Sequence, residues 1–279
     1  MQTSVAERLR DSLANASATE RRVIHSLLAD YPMLALGTLA DWGARAGVSA
    51  PTILRFLAKI EAGGFPDFQA QLRDELSDRL RSPLEKQISS NASEHGARAQ
   101  EFGAAVCNNV RETFAHLSAS ETEAVVRLLG DSKRKIGLVG GRFTDPLARY
   151  AAAHLTILRS GVFNLIGQID TWRDKLLELS KGDVLIVFDI RRYSSDLQRF
   201  CEQAAARKII MVLITDQWLS PISKVASHVL PARISVPSRW DSNVALMAII
   251  EMLLEAVTTH LEPDASRRIG ELEALRDPD

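Results

Sequence analysis

Two unbroken apolar runs, DVLIVF from Asp183 to Phe188 and KIIMVLIT from Lys208 to Thr215, constrain this chain more than any other feature. Neither alternates polar with apolar residues, so neither suits a strand with one wet face. Each has the length of a strand and must be covered on both sides. Around them, from Lys133 onward, strand, loop and helix alternate. KIGLVGG ends in Gly140-Gly141, and further strands are expected at Val162 to Ile166 and His228 to Leu230. Helices are expected at Asp145 to Arg159, Thr171 to Leu179 and Ser195 to Arg207, with a short one at Ile222 to Ala226 and a long apolar one from Ser242 to Thr258. This order predicts an α/β domain, a parallel sheet flanked by helices on both faces.

The chain before Arg81 has no strand pattern. Val23, Ile24, Leu27 and Leu28 share one face of a helix from Ala18 to Ala29, which Tyr31-Pro32 ends. Helices are expected at Thr38 to Ala46, Ala50 to Ala62 (stopped by Gly63-Gly64) and Asp67 to about Arg81, which makes an all-α module of four helices. Ser82-Pro83 is a turn signal, and the polar stretch Leu84 to Arg98 reads as a linker or the exposed part of a connecting helix. Helical periodicity returns at Glu101 to Leu117 and Ser120 to Leu129. The expected organisation is therefore 1–81 as the all-α domain, 82–131 as linker and connecting helices, 132–260 as the α/β domain and 261–279 as a C-terminal tail. A chain of 279 residues suits two domains of ordinary size.

The segment TLADWGARAGVSAPTILRFL, Thr38 to Leu57, carries the first functional signal. Two helices that cross tightly need small residues, and Ala40, Gly43 and Ala44 stand on the first. Gly47 supplies the φ > 0 of a tight turn, Val48 would plug the space between the helices, Ser49 would cap the second helix, and Pro51 fits its first turn. Ile53, Phe56 and Leu57 would face the core. Ala50, Thr52, Arg55 and Lys59 are then left towards solvent, as on a helix that enters the major groove of DNA. Thr52 and Arg55 are placed to read bases; Lys59 and Arg45 are better placed for phosphates. The competing reading is a helical hairpin with a solvated charged face. The net charge is −1, so any surface for DNA is local.

The second signal is a set of loops after strand ends. Gly140-Gly141-Arg142-Phe143-Thr144, Asp189 to Ser195 and Asp216 to Ser220 each lead to a helix N-terminus, where free N–H groups favour anions. Gly141, Arg142, Thr144, Arg191, Arg192, Tyr193, Ser194 and Ser195 are the expected ligand contacts, with Arg239 from the patch Ser238-Arg239-Trp240-Asp241. The plainer alternatives are that Ser194-Ser195 cap a helix, that Arg191-Arg192 pair with Asp189 or Asp196, and that Trp218 and Trp240 anchor an interface.

The segment LADYP, TLADWGARAGVSAPTILRFLAKI and GGFPDFQAQL resembles the N-terminal domain of the RpiR/MurR transcription regulators, especially at Val48-Ser49, Thr52, Arg55-Phe56, Gly64-Phe65 and Phe68. Ile60-Glu61 stands where that family more often has Leu-Gly. From about Ser132 to Val257 the chain is similar to a sugar isomerase (SIS) domain, through IGLVGGRFTDPLARYAAAHL, KGDVLIVFDIRRYSSDL and ITDQWLSPISKVASHVLP. The phosphosugar-binding members of that family carry a Ser-x-Ser-Gly-x-Thr loop; here the place reads Asp189-Ile190-Arg191-Arg192-Tyr193-Ser194, without the glycine turn, and Thr144 replaces a serine in the first loop. The resemblance implies a helix-turn-helix domain joined to an SIS domain that senses a phosphosugar, another carbohydrate derivative or a carboxylate.

The expected function is that of a DNA-binding transcription regulator without catalysis, metal or cofactor. Its partners would be operator DNA and a small anionic effector, and it would act as a homodimer or homotetramer, with the Ser242 to Thr258 helix and the helices before Ser132 as contacts. The rival is an aldose–ketose sugar-phosphate isomerase, whose general base would come from Asp189, Asp216, Asp241 or Glu251; His154, in an expected helix, and His228, at a late strand, make no evident pair with them. Cys107 and Cys201 stand far apart and outside any C-x-x-C pair, which suits a reducing compartment. MQTSVAERLRDSLANAS carries Glu7 and Asp11 and lacks the apolar core of a signal peptide. Val244 to Val257 is interrupted by Glu251 and Glu255. A cytoplasmic chain that does not enter the membrane is expected.

Overall fold

Helices alone build the N-terminal segment in a computed structural model of the chain, which describes residues 4–13, 15–80, 95–167 and 169–276. They are α1 (Val5–Leu13), α2 (Ala18–Leu28), α3 (Met33–Leu36), α4 (Leu39–Ala46), α5 (Ala50–Lys59) and α6 (Phe65–Leu80). The periodicity predicted four of them and left out α1 and α3. The signal for α1 is local: Ser4 and Glu7 form a reciprocal cap, Ser4 N donating to Glu7 Oε2 at 2.8 Å and Glu7 N to Ser4 Oγ at 3.1 Å. Ser17 with Glu20 and Thr38 with Asp41 repeat that box at α2 and α4. The core of this unit centres on Trp42, stacked on Phe68 at 5.6 Å between ring centroids, with Ile24, Leu27, Ile53, Leu57 and Leu72 fully buried around it. Glu75 is drawn inward, accepting from Val5 N and the Tyr31 hydroxyl, and burial pushes its carboxyl pKa above the usual range.

The remaining elements form a second unit. It contains α7 (His95–His116), α8 (Ala119–Gly130), β1 (Ile136–Gly140), α9 (Asp145–Leu158), β2 (Val162–Asn164), α10 (Ile169–Leu176), β3 (Val184–Asp189), α11 (Ser195–Ala206), β4 (Ile210–Asp216), a 3-10 turn at Pro221–Lys224, β5 (His228–Ala232), α12 (Val244–His260) and α13 (Asp264–Arg276). All five strands run parallel in the order β2-β1-β3-β4-β5. The central strand β3 is buried at every residue, as its unbroken apolar run requires. Leu185, Val187, Met211 and Leu213 pack with Phe200 and Ala204 of α11 on one face. Ile186, Phe188 and Ile214 meet Ala151 and Leu155 of α9 and Ile250 and Leu253 of α12 on the other. The helices on both faces are those the sequence predicts.

Two expectations change. The helices α7 and α8, read as connectors, are part of the α/β unit: Thr113 Oγ1 of α7 accepts from Arg233 N at 2.9 Å, and Val125 and Leu129 of α8 are buried. The chain after 260, expected as a tail, continues in α13, turned by 103° from α12 and held by Arg268 Nη2 donating to Thr156 O at 3.1 Å. The long apolar helix α12 spends its apolar face inside its own chain, with Ala245, Leu246, Ile249, Ile250, Leu253 and Val257 buried. Of the polar stretch from Leu84 to Arg98, residues 84–94 lie outside the described residues. No single helix among the described residues is long and apolar enough to cross a membrane.

Arg159 closes the edge of this unit. Its guanidinium is 4% exposed as a residue and donates to the carbonyls of Leu129 and Asp131 at 2.8 Å, of Ser160 at 3.0 Å and of Arg134. It satisfies the last carbonyls of α8 and the turn into β1 at once. Arg159→Ala leaves those carbonyls buried without donors, and a loss of about 3 kcal/mol is expected in urea unfolding of the α/β unit. A loss below about 1 kcal/mol would show that the carbonyls find other donors.

Candidate functional sites

The crossing of α4 and α5 is set by backbone proximity. A Cβ on Gly43 would stand 2.9 Å from Val48 O, so only glycine lets the turn close on α4. Gly47 adopts φ 64°, its N–H donating to Ala44 O and Val48 N donating to Gly43 O at 3.0 Å. Ala40 and Ala44, expected at the crossing, are exposed, so Gly43 serves there alone of the three; Val48 is only half-buried. Ser49 occupies the N-cap position of α5 without capping it; its hydroxyl bonds Thr52 Oγ1 at 2.9 Å instead.

Ile53, Phe56 and Leu57 face the core, and the opposite side of α5 is open. Arg55 and Lys59 are exposed, Ala50 and Thr52 half-buried, and Arg45 is exposed on α4. Arg55 Nη2 lies 3.5 Å from Thr52 Oγ1, which brings the two expected base readers together. Lys59 differs from the rest. Its ammonium pairs with Glu20 Oε1 at 2.8 Å, and this bond, with those from Ser17, holds the Glu20 carboxyl down to about 2. The sequence pattern gave no sign of this pair because the partners stand on different helices.

At the other site, the sheet order reverses between β1 and β3, where an open parallel sheet leaves a crevice outside the strand ends. A Cβ on Gly140 would lie 2.5 Å from Thr144 C, so the loop after β1 folds back on its own strand. The expected ligand contact Thr144 is buried and committed: its hydroxyl donates to Phe188 O at 2.7 Å and accepts from Gly141 N at 2.8 Å. It fastens the β1 loop to the end of β3. Gly141 is half-buried beside it.

Arg191 is also committed. Its guanidinium is buried and grips Asp241, Nε donating to Oδ2 at 2.8 Å and Nη2 to Oδ1. Its backbone N–H donates to Asp216 Oδ2 at 2.6 Å, and the Tyr193 hydroxyl donates to Asp216 Oδ1 at 2.8 Å. Asp189 accepts the Ser220 hydroxyl. Arg191 pairs with Asp241, a partner not considered from sequence, and Asp196 pairs with Arg199. Ser194 caps α11, accepting from Leu197 N at 3.2 Å, and Ser195 begins that helix exposed. Arg142, Arg192 and Arg239 are exposed and make no ion pair among the described residues.

Asn243 and Phe143, which sequence reasoning left in the background, and Trp240, weighed there as an interface anchor, shape this crevice. Asn243 Nδ2 donates to Phe143 O at 3.1 Å, tying the β1 loop to the segment that carries Asp241. Phe143 and Trp240 meet edge to face, ring centroids 5.9 Å apart at 62°, and the Arg142 guanidinium lies 5.2 Å from the Phe143 centroid. The only signal in the sequence was two aromatic residues in loops otherwise made of polar and small ones. The histidines fall elsewhere: His228 Nδ1 contacts Glu121 Oε2 at 2.9 Å, and His154 stacks on Tyr150, whose hydroxyl reaches Glu251.

Residues 3–79 match the family model of the helix-turn-helix domain, rpiR family, and residues 128–256 that of the SIS domain. The chain is 24% identical over 269 residues to the HTH-type transcriptional regulator HexR of Escherichia coli K12, covering 91% of this chain and 88% of that protein. It is 25% identical over 235 residues to the bifunctional protein glk of Paraburkholderia xenovorans, but spans only 35% of that protein's length. Among solved structures, the NanR protein of Vibrio vulnificus complexed with ManNAc-6P covers 97% of this chain and 97% of its own, with a TM-score of 0.56 at 17% identity, a likeness of fold.

Asp241→Asn weakens the hold on a buried guanidinium without removing a hydrogen-bonding side chain. A stability loss of about 3 kcal/mol is expected, with faster amide exchange in residues 189–194 than elsewhere in the sheet. Uniform exchange across the sheet would mean that the ion pair does not shape this loop.

Proposed function

The chain belongs to the rpiR family of helix-turn-helix regulators, with an SIS domain following the DNA-binding module, and we propose that it binds operator DNA through α5 while a small anionic metabolite occupies the crevice at the ends of β1 and β3. The observation that carries the first half is the division of α5: Ile53, Phe56 and Leu57 are committed to the core, and Arg55 stands on the side left open, beside Leu54, which is 42% exposed. Thr52, Arg55, Ala50 and Ser49 would meet the major groove; Arg45 and Lys59 would meet phosphates on either side. Symmetric half-sites are matched by symmetric proteins, so the acting form is a homodimer or homotetramer.

The second half is supported by chemistry at the crevice. The N-termini of α9 and α11 lie at its loops, and Arg142, Arg192 and Arg239 bring positive charge that makes no ion pair among the described residues. An SIS-fold relative, NanR, is described with a sugar phosphate bound. Gly141, Tyr193, Ser194 and Ser195 line the loops between these groups. An effector of this kind acts by binding one arrangement of the DNA-binding domains better than another.

An isomerase reading finds less support. Asp189, Asp216 and Asp241, the acids nearest the crevice, each hold a hydroxyl, a backbone N–H or a guanidinium that shapes the loops. A general base needs a free lone pair within reach of substrate.

Arg55→Ala is expected to weaken operator binding by about 1–3 kcal/mol in a mobility-shift titration; unchanged affinity would remove α5 as the reading helix. Glu20→Gln releases Lys59. The slope of log affinity against log salt should then steepen by about one unit. An unchanged slope would take Lys59 out of the phosphate contacts.

A further inference from the structure

The unusual feature of the crevice is its exposed aromatic pair. Phe143 is 54% and Trp240 60% exposed, among the largest apolar surfaces this unit leaves in water. They stand in loops that are tied down. Asn243 holds the carbonyl of Phe143, Ser238 Oγ accepts from Trp240 N at 3.2 Å, and Asp241, next to Trp240, is locked to Arg191. The backbone that carries each ring is thus held by polar groups while the ring surfaces stay exposed. Exposed apolar surface placed so firmly at a strand-end crevice is what a ligand ring uses.

The polar groups point the same way. Sugar recognition requires many free donors and acceptors, because every hydroxyl brought out of water needs a partner. At this crevice Thr144, Tyr193, Arg191, Asp216 and Asp241 are already paired with one another or with the backbone. What remains for a ligand is the angle between the two rings, inclined at 62°, the Arg142 guanidinium over Phe143, the exposed Arg192 and Arg239, and the exposed Ser195. Exposed aromatic surface with a guanidinium over one of its rings complements a ring that carries an acid group.

From the rings Phe143 and Trp240 with Arg142, we infer that the effector is an aromatic carboxylate: its ring packs in the angle between Trp240 and Phe143, and its carboxylate faces Arg142. This rests on the crevice being the effector site and adds the chemical class of the effector. No bond is made or broken; the ligand is held by stacking and charge.

The test uses the full chain and six probes, benzoate, phenylacetate, indole-3-acetate, benzamide, glucose 6-phosphate and inorganic phosphate, with binding read by isothermal titration and by the thermal midpoint. At least one of the three aromatic acids should bind saturably and more tightly than glucose 6-phosphate. Trp240→Ala and Arg142→Ala, both exposed positions, should each weaken it by about tenfold with the unliganded midpoint unchanged, and benzamide, the neutral counterpart of benzoate, should bind no better than the Arg142 variant binds the acid. Equal binding by the Trp240 variant overturns the inference. Tight binding of glucose 6-phosphate alone, weakened by Arg142→Ala, overturns the aromatic class and leaves the crevice standing as the effector site. Binding of none of the probes overturns the aromatic class.

Discussion

The buried ion pair of Arg191 with Asp241 organises the functional end of the sheet. Arg191 belongs to the loop after β3 and Asp241 to the segment before α12, and the side chains are only 4% and 19% exposed. A guanidinium taken out of water has to be matched closely or it destabilises the fold. Here the match is a forked grip on one carboxylate, while Asp216 takes the backbone N–H of the same residue. The loop therefore has one shape, and it differs from a glycine turn built to wrap a phosphate. Asn243 and Thr144 extend the arrangement to the β1 loop. Three strand-end segments become a single scaffold, with Phe143 and Trp240 on its wet side.

The same logic of close approach works in the DNA-binding unit through glycine. Gly43 lets the Val48 carbonyl come within contact of α4, and Gly47 turns the chain through φ 64°. These contacts fix the angle of α5, and Trp42 packed on Phe68 fixes its depth. What α5 leaves outside follows from the helical period: once Ile53, Phe56 and Leu57 are inward, Arg55 has to be outward. Both candidate sites thus follow one design, in which buried polar or backbone contacts set a rigid frame and the free side chains are carried on it.

Much of the architecture was legible in the residues. DVLIVF and KIIMVLIT declared buried parallel strands, and the small-residue and glycine pattern from Thr38 to Leu57 declared the paired helices. Less legible were α1, marked only by the Ser4 and Glu7 box, and α13, where a polar stretch still forms a helix because Ala265 is buried at its start. The small residues Ala40 and Ala44 were misleading, since size alone does not say which side of a helix meets its neighbour. At the candidate sites, exposure of Arg55 followed from spacing, but the commitments of Thr144, Arg191 and Lys59 did not.

By itself, then, the amino-acid order determined the two fold classes, the strand and helix sequence and the outward side of α5, because burial imposes periods of two and 3.6 residues that any chain must display locally. The tertiary structure decided which charges remain free. Lys59 meets Glu20 from 39 positions away and Arg191 meets Asp241 from 50, and Phe143 finds Trp240 only when two loops converge. Ion pairs and ring contacts across such separations leave no period in the sequence, since each needs only that two side chains arrive at one place after the backbone has folded.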